Sequence, residues 1–182
     1  MRLRTRWKVA IAAILGLPLV FAVAGLPVYV FPAQGTASSA DVVLILGPAT
    51  GPRLERAAEL KKDGVAKNLL ISAFPRPGGT LSDISYCEGR NTVCETPSPA
   101  TTKGEVSMLQ RYALDHDVKK AIILTSMSHV ERTRFILAKC YTASEVTVIG
   151  VDEPKPLWRW GQEYMYQTAA FVKAWATSCA DL

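Results

Sequence analysis

His129 and Arg132 stand one helical turn apart in Thr125-Ser126-Met127-Ser128-His129-Val130-Glu131-Arg132. Glu105 follows Thr102 at the same spacing. An imidazole can take or give a proton near neutral pH. A guanidinium fork can hold a phosphate or a carboxylate. A partly desolvated carboxylate can act as a general base. A second basic pair, Arg53 and Arg56, follows an apolar run at what reads as a helix N-terminus. That end already carries partial positive charge, so arginines there do not serve helix stability and suit an anion. The chemistry these residues could perform together is proton transfer on an anionic substrate. Arginines would hold the phosphate, His129 would move the proton, and Glu105 would assist or position water.

Each candidate also has a local reading. Ser128 and Glu131 have capping-box spacing, as do Thr102 and Glu105, and a capping box uses both side chains on the first turn of their own helix. His129 would then be a solvated residue in such a turn. Arg132 could form a surface ion pair, and Arg53 and Arg56 could pair with Glu55 or Glu59. Arg134 reads as solvated. The aromatic stripe Trp158, Trp160, Tyr164, Tyr166 and Trp175 reads as core in preference to a membrane-facing belt.

The elements that must position these groups read as alternating strands and helices. Asp41–Gly47, Asn68–Ser72, Ala121–Leu124 and Glu145–Val151 are short apolar or β-branched runs, the pattern of buried parallel strands. Helical patterns run from Arg53 to Lys62, from Thr102 to about Asp115, from the His129 stretch to about Cys140, and from Trp158 to Thr177. Pro52 opens the first of these and Asp63-Gly64 closes it. This alternation predicts an α/β fold, a Rossmann-like parallel sheet flanked by helices. Thr125, Ser126, His129 and Arg132 then fall just past a strand's carboxyl end, where open α/β sheets bind ligands. The segment from Phe74 to Ala100, rich in Pro, Gly, Ser and Thr, reads as a long shaped loop over the site.

The 182-residue chain has a formal net charge of +5. That charge is local. Arg2, Arg4, Arg6 and Lys8 lie in the first 40 residues, which hold no acid; removing those four of the 21 Lys and Arg leaves 17 against 16 Asp and Glu. No clustered basic face remains, so nucleic-acid binding is not expected. Val9 to Phe31 carries no charge and is long enough to cross a hydrocarbon core of about 30 Å. With its basic flank it predicts an uncleaved signal anchor over 9–31, a basic cytoplasmic tail over 1–8, a small-residue linker over 32–40 and an extracytoplasmic domain over 41–182. The expected location is the cytoplasmic membrane, single-pass, with the N-terminus inside. All four cysteines lie in the exported part, where disulfides form. Of three possible pairings we favour Cys87 with Cys94 and Cys140 with Cys179. A zinc site lacks close Cys-x-x-Cys spacing and a nearby histidine. No metal or cofactor is expected, and no nucleophile elbow, phosphate-binding loop or dinucleotide fingerprint is present.

The run Asp41–Gly47, then Arg53-Leu54-Glu55-Arg56-Ala57, then a strand ending in Ser72, resembles the opening of the SanA/YdcF/ElyC-like family of bacterial envelope domains. Thr102-Lys103-Gly104-Glu105 is similar to that family's Thr-x-Gly-Glu element, and Thr125-Ser126 with His129 and Arg132 to its Thr-Ser-x-x-His-x-x-Arg element. Gln162-Glu163 resembles a C-terminal Arg-Glu pair, with glutamine in place of the arginine. The similarity spans roughly residues 41–175. The resemblance implies a Rossmann-like fold and a role in envelope integrity, peptidoglycan or lipid-carrier metabolism. It also implies a ligand site that includes Gly47, Ser72, Thr102, Thr125 and Ser126. Three functions are carried forward. The first is an enzyme acting on a polyprenyl-phosphate or sugar-phosphate envelope intermediate. The second is a non-catalytic ligand-binding or scaffold protein for cell-wall synthesis machinery. The weakest is nucleotide or S-adenosylmethionine binding, which an exported domain has no obvious means to supply.

Overall fold

The structure, a computed structural model, describes residues 2–36 and 38–179, with side chains at all of these except 2–6, 8–13 and 15. Five parallel strands form one sheet: β1 (Val42–Ile45), β2 (Asn68–Ser72), β3 (Thr92–Glu95), β4 (Lys120–Ser126) and β5 (Glu145–Val151), in the order β3-β2-β1-β4-β5. β1 is central, with Leu44 opposite both Leu70 and Ile123. Its four residues are all buried, as expected of a strand covered on both faces.

Alternation along the strands divides the core in two. Val42, Leu44 and Leu46 face one layer, with Leu70 and Ile123; Val43 and Ile45 face the other, with Ile71 and Leu124. The first layer packs against α3 (Thr102–Asp115) through Val106, Leu109 and Ala113, and against α4 (Val130–Cys140) through Ile136 and Leu137. The second packs against α2 (Gly51–Lys62) through Ala57 and Leu60. Gly64, at φ 71°, takes the left-handed conformation that ends α2. The chain therefore departs from β1 toward β2 on one side and from β4 toward β5 on the other. The crevice between β1 and β4 is the switch point of the sheet.

Three expectations change. The segment 74–100 is not wholly irregular, because it contains β3. That strand is a four-residue edge strand with only one large apolar residue, the exposed Val93, so no hydrophobic run announced it. The expected small-residue linker is bonded to the domain at residues 33–35. Gly35 N–H donates to the Val148 carbonyl at 3.3 Å, Gly150 N–H donates to Gln34 Oε1 at 2.8 Å, and Arg134 donates to the Ala33 carbonyl at 2.7 Å. The segment covers the free edge of β5, which would otherwise present unpaired backbone groups. Arg134 is thus a clamp, ion-paired to Glu131 at 2.6 Å, and not a solvated residue. The aromatic stripe of α5 (Leu157–Ala176) is not core, since Trp158, Tyr166 and Trp175 are exposed and the helix buries only Gln167 and Ala174.

At the N-terminus the expected anchor is described only in part. An α-helix, α1 (Arg2–Gly25), gives way to a single π-helical turn over Leu26–Val30. Tyr29 is buried and its hydroxyl lies 2.8 Å from Thr168 Oγ1 of α5, so the last turn of the apolar run belongs to the domain. Among the described residues no helix is long and apolar enough to cross a membrane. The basic side chains of the tail and those of residues 9–13 and 15 of the expected anchor lie outside the described residues.

The cysteines pair Cys87 with Cys94 and Cys140 with Cys179. The first ties a short turn to β3. The second ties the end of α4 to the chain beyond α5, across a sequence separation of 39. Closing a loop of that length restricts the unfolded chain by about 3–4 kcal/mol. The double variant Cys140→Ser/Cys179→Ser is therefore expected to lose stability of that order in urea unfolding of the oxidised protein. An unchanged midpoint would show that this bridge is not a stabilising tie.

Candidate functional site

α3 begins one residue earlier than a Thr102–Glu105 capping box requires. Thr101 is the cap, its hydroxyl accepting from Gly104 N–H at 3.3 Å. Glu105 is thereby released from its own helix. It turns across the switch point and accepts the Gly47 N–H at 2.6 Å, with the Ser72 hydroxyl beside it. Only 5% of the residue is exposed. Burial raises its pKa above 4.5, while the Ser72 hydroxyl, the Gly47 amide, Arg53 and Arg132 draw it back. The missing side chain at Gly47 matters for this geometry. A Cβ there would stand 2.9 Å from both Phe74 Cε2 and Ser72 Oγ and 3.3 Å from Glu105 Oε1.

The second capping box does not form either. Ser128 donates to Glu163 at 2.9 Å, and Glu131 is taken by Arg134. A short 3-10 turn over Met127–His129 instead carries His129 inward from the end of β4. Its Nδ1 lies 2.9 Å from Thr125 Oγ1 and its Nε2 lies 3.3 Å from Thr102 Oγ1. Burial holds its pKa well below 6.5, and the neighbouring charges of Arg132 and Arg53 act in the same direction. His129 is therefore neutral at pH 7, which corrects the expectation that it titrates near neutrality. It can accept a proton only transiently, or relay a hydrogen bond between two threonine hydroxyls.

The arginines separate. Arg132 donates from Nε to Gln167 Oε1 at 3.0 Å and from Nη1 to Thr102 Oγ1 at 3.4 Å. Among the described residues no carboxylate lies within ion-pair distance of it. Burial lowers its pKa, while Tyr166, Glu105 and Glu163 nearby draw it back up. Arg53 is buried, donates to the Leu46 and Pro48 carbonyls at 3.0 Å each, and pairs with Glu153 at 2.8 Å. Its charge is balanced and its first task is to brace the β1–α2 turn. Arg56 pairs with Glu59 at 2.7 Å on the exposed side of α2, outside the site.

Gly47, Arg53, Thr102, Glu105, Ser126, His129 and Arg132 all line one cavity of about 830 Å³. Ser72 and Thr125 lie behind it, Ser72 beside Glu105 and Thr125 bonded to His129. The sequence pattern did not single out the far wall, which comes from the β5–α5 loop and α5: Glu153, Lys155, Arg159, Gln167 and Lys173. Glu163, noted there only as half of a pair, is part of it. Around the cavity Arg53, Lys103, Arg132, Lys155, Arg159 and Lys173 outnumber Glu105, Glu153 and Glu163. Among the described residues no group of three His, Cys, Asp or Glu side chains is placed to hold a metal ion.

The two buried titrating groups give opposite pH dependences. Below about pH 6.5 the unfolded chain protonates His129 while the folded chain does not, so stability falls with falling pH by up to about 1.4 kcal/mol per pH unit. The folded chain holds the Glu105 proton to higher pH than the unfolded chain does, so that contribution falls as pH rises from 4.5. Thermal melts across this range should show a shallower acid-side loss in His129→Gln than in the wild type. Parallel curves for the two proteins would mean that His129 is not held neutral by the fold.

Fold and site together define a five-stranded parallel α/β domain whose switch point holds a net cationic cavity with one buried carboxyl and one buried imidazole. Comparison with protein-family models, with curated proteins and with solved structures finds no match.

Proposed function

We propose that this chain is a SanA/YdcF/ElyC-like protein of the bacterial cell envelope that acts on a phosphorylated, lipid- or sugar-linked envelope intermediate. The single observation that carries the reading is Arg132. Its guanidinium borders the cavity with only amide and hydroxyl hydrogen-bond partners, and a phosphate would pair with it directly through bidentate hydrogen bonds. Arg159 on the facing wall adds attraction for an anion, while Lys155 there pairs with Glu163 at 3.8 Å. Glu105, whose pKa burial raises, is placed to accept a proton from water or from a substrate hydroxyl. Neutral His129, bonded to Thr102 and Thr125, orients the threonine that contacts Arg132. The charge-free run Val9–Phe31 behind four basic residues supports a single membrane anchor with the N-terminus in the cytoplasm. The two disulfides support an extracytoplasmic domain.

A second reading, ligand binding without catalysis as part of the cell-wall synthesis machinery, is favoured by the bonding of both His129 nitrogens within the protein. The test is mass spectrometry of lipid-linked intermediates in a deletion strain. The expected result is accumulation of a phosphorylated species that wild-type protein clears and Arg132→Gln does not. An unchanged profile of phosphorylated intermediates would overturn the proposal.

A further inference from the structure

α5 presents three faces. Gln167 and Ala174 point to the core, and Arg159, Glu163, Gln167 and Lys173 border the cavity. The remaining face is apolar and uncovered. Trp158, Met165 and Val172, repeating every seven residues, are 64%, 68% and 59% exposed, and Trp175 beside them is 71% exposed. Ala169 and Ala176 fill the same stripe. Gln162 interrupts the stripe between Trp158 and Met165, yet so much exposed apolar surface along one face of a twenty-residue helix is unusual where it meets only water.

What lies beside this stripe indicates its occupant. Tyr164 of α5 meets Phe21 edge-on at 5.9 Å and donates from its hydroxyl to the Ala22 carbonyl at 3.0 Å. Gly25 allows the approach, since a Cβ there would stand 2.3 Å from the Tyr164 ring. α5 is thus fixed to the end of α1, whose Leu17, Val20 and Val23 are themselves exposed. Exposed apolar side chains therefore stand on both of the joined helices. The chemistry of the stripe's margin fits a headgroup layer. Arg159 stands over the Trp158 ring at 5.5 Å, at one end of the stripe. Aromatic rings flanked by cations on long stems are the residues that settle at a bilayer interface.

We propose that the outer face of α5 lies in the headgroup–acyl boundary of the bilayer, which brings the cavity mouth on its flank to the membrane surface. This rests on the membrane-anchored part of the functional reading and extends it, because a helix lying in the interface would place the site within reach of lipid-borne headgroups. The test uses the full chain, in which the native cysteines are closed in disulfides, so one added cysteine is the only thiol. Met165→Cys and Val172→Cys are spin-labelled and reconstituted in phosphatidylcholine–phosphatidylglycerol vesicles. Leu114→Cys, on an exposed apolar position of α3, is the control.

The expected result is a ratio of oxygen to polar nickel-chelate collisions several-fold higher at residues 165 and 172 than at residue 114. Equal ratios at all three positions would overturn the proposal. Exclusion of both reagents, with spin–spin broadening that disappears on dilution with unlabelled protein, would also overturn it and mark the face as a contact between copies. The measurement needs no turnover. Its failure therefore leaves the phosphate site standing, and failure of the phosphate reading leaves the interfacial helix standing.

Discussion

Glu105→Gln is expected to abolish the protein's envelope function in a deletion strain while leaving the fold intact. The amide oxygen can still accept the Gly47 N–H, and the volume is unchanged, so the contacts across the switch point persist. What is lost is the only buried carboxyl facing the cavity from α3. Removing a positioned general base lowers a rate by about a hundredfold to ten-thousandfold. Stability should hold or rise slightly above the raised pKa, because a neutral amide avoids the cost of burying an ionised carboxylate. Glu105→Ala behaves differently. It also leaves the Gly47 N–H without its partner, which costs about 1–3 kcal/mol. Loss of function in both variants, with loss of stability only in the alanine variant, separates chemistry from scaffolding. Full complementation by Glu105→Gln would leave only the ligand-binding reading.

Gly104→Ala should be the most damaging small substitution in the domain. A Cβ at residue 104 would stand 2.0 Å from the Pro99 carbonyl oxygen and 3.0 Å from Pro99 C and N. These are backbone atoms and cannot rotate aside. The segment before α3 or the helix start must move, and either movement displaces Thr102 and Glu105. We expect a loss of about 3 kcal/mol or more in urea unfolding, at the upper end for overpacking, together with loss of function. Gly161→Ala is the control. Nothing lies within 4 Å of its Cβ position, and alanine in an exposed helix gains about 0.5–1 kcal/mol over glycine. If both variants unfold at the wild-type midpoint, the close approach at Pro99 does not exist in solution.

These two residues also show how far the sequence could be read. The strands around β1 and β4 were legible because each is an apolar run covered on both faces, and the switch-point position of His129 followed from their order. Glu105 was ambiguous because Thr-x-x-Glu has the same spacing whether the carboxylate caps its helix or leaves it. What decides is the residue in front: Thr101 takes the cap, so Glu105 is free. Gly104 carried no local signal, since its constraint comes from Pro99 folding back over it. β3 was hidden by its short, polar, edge-strand composition. The stripe on α5 reads as core and lies outside, because an amphipathic pattern fixes which residues share a face and does not say whether that face meets the core or the outside. Arg53 and Arg56 looked equivalent at i and i+3. The ion pairs with Glu153 and Glu59 send one inward and the other to solvent.

The central claim is that Arg132 and the buried carboxyl of Glu105 act together on a phosphorylated substrate. The most direct measurement is mass spectrometry of envelope lipid extracts incubated with purified full-length protein in mixed micelles, comparing wild type, Glu105→Gln and Arg132→Gln. The account predicts that wild type consumes one phosphorylated lipid-linked species, that Glu105→Gln leaves it intact although bound, and that Arg132→Gln neither binds nor consumes it. Consumption by Glu105→Gln at the wild-type rate, or no change in any phosphorylated species with wild type, would contradict it.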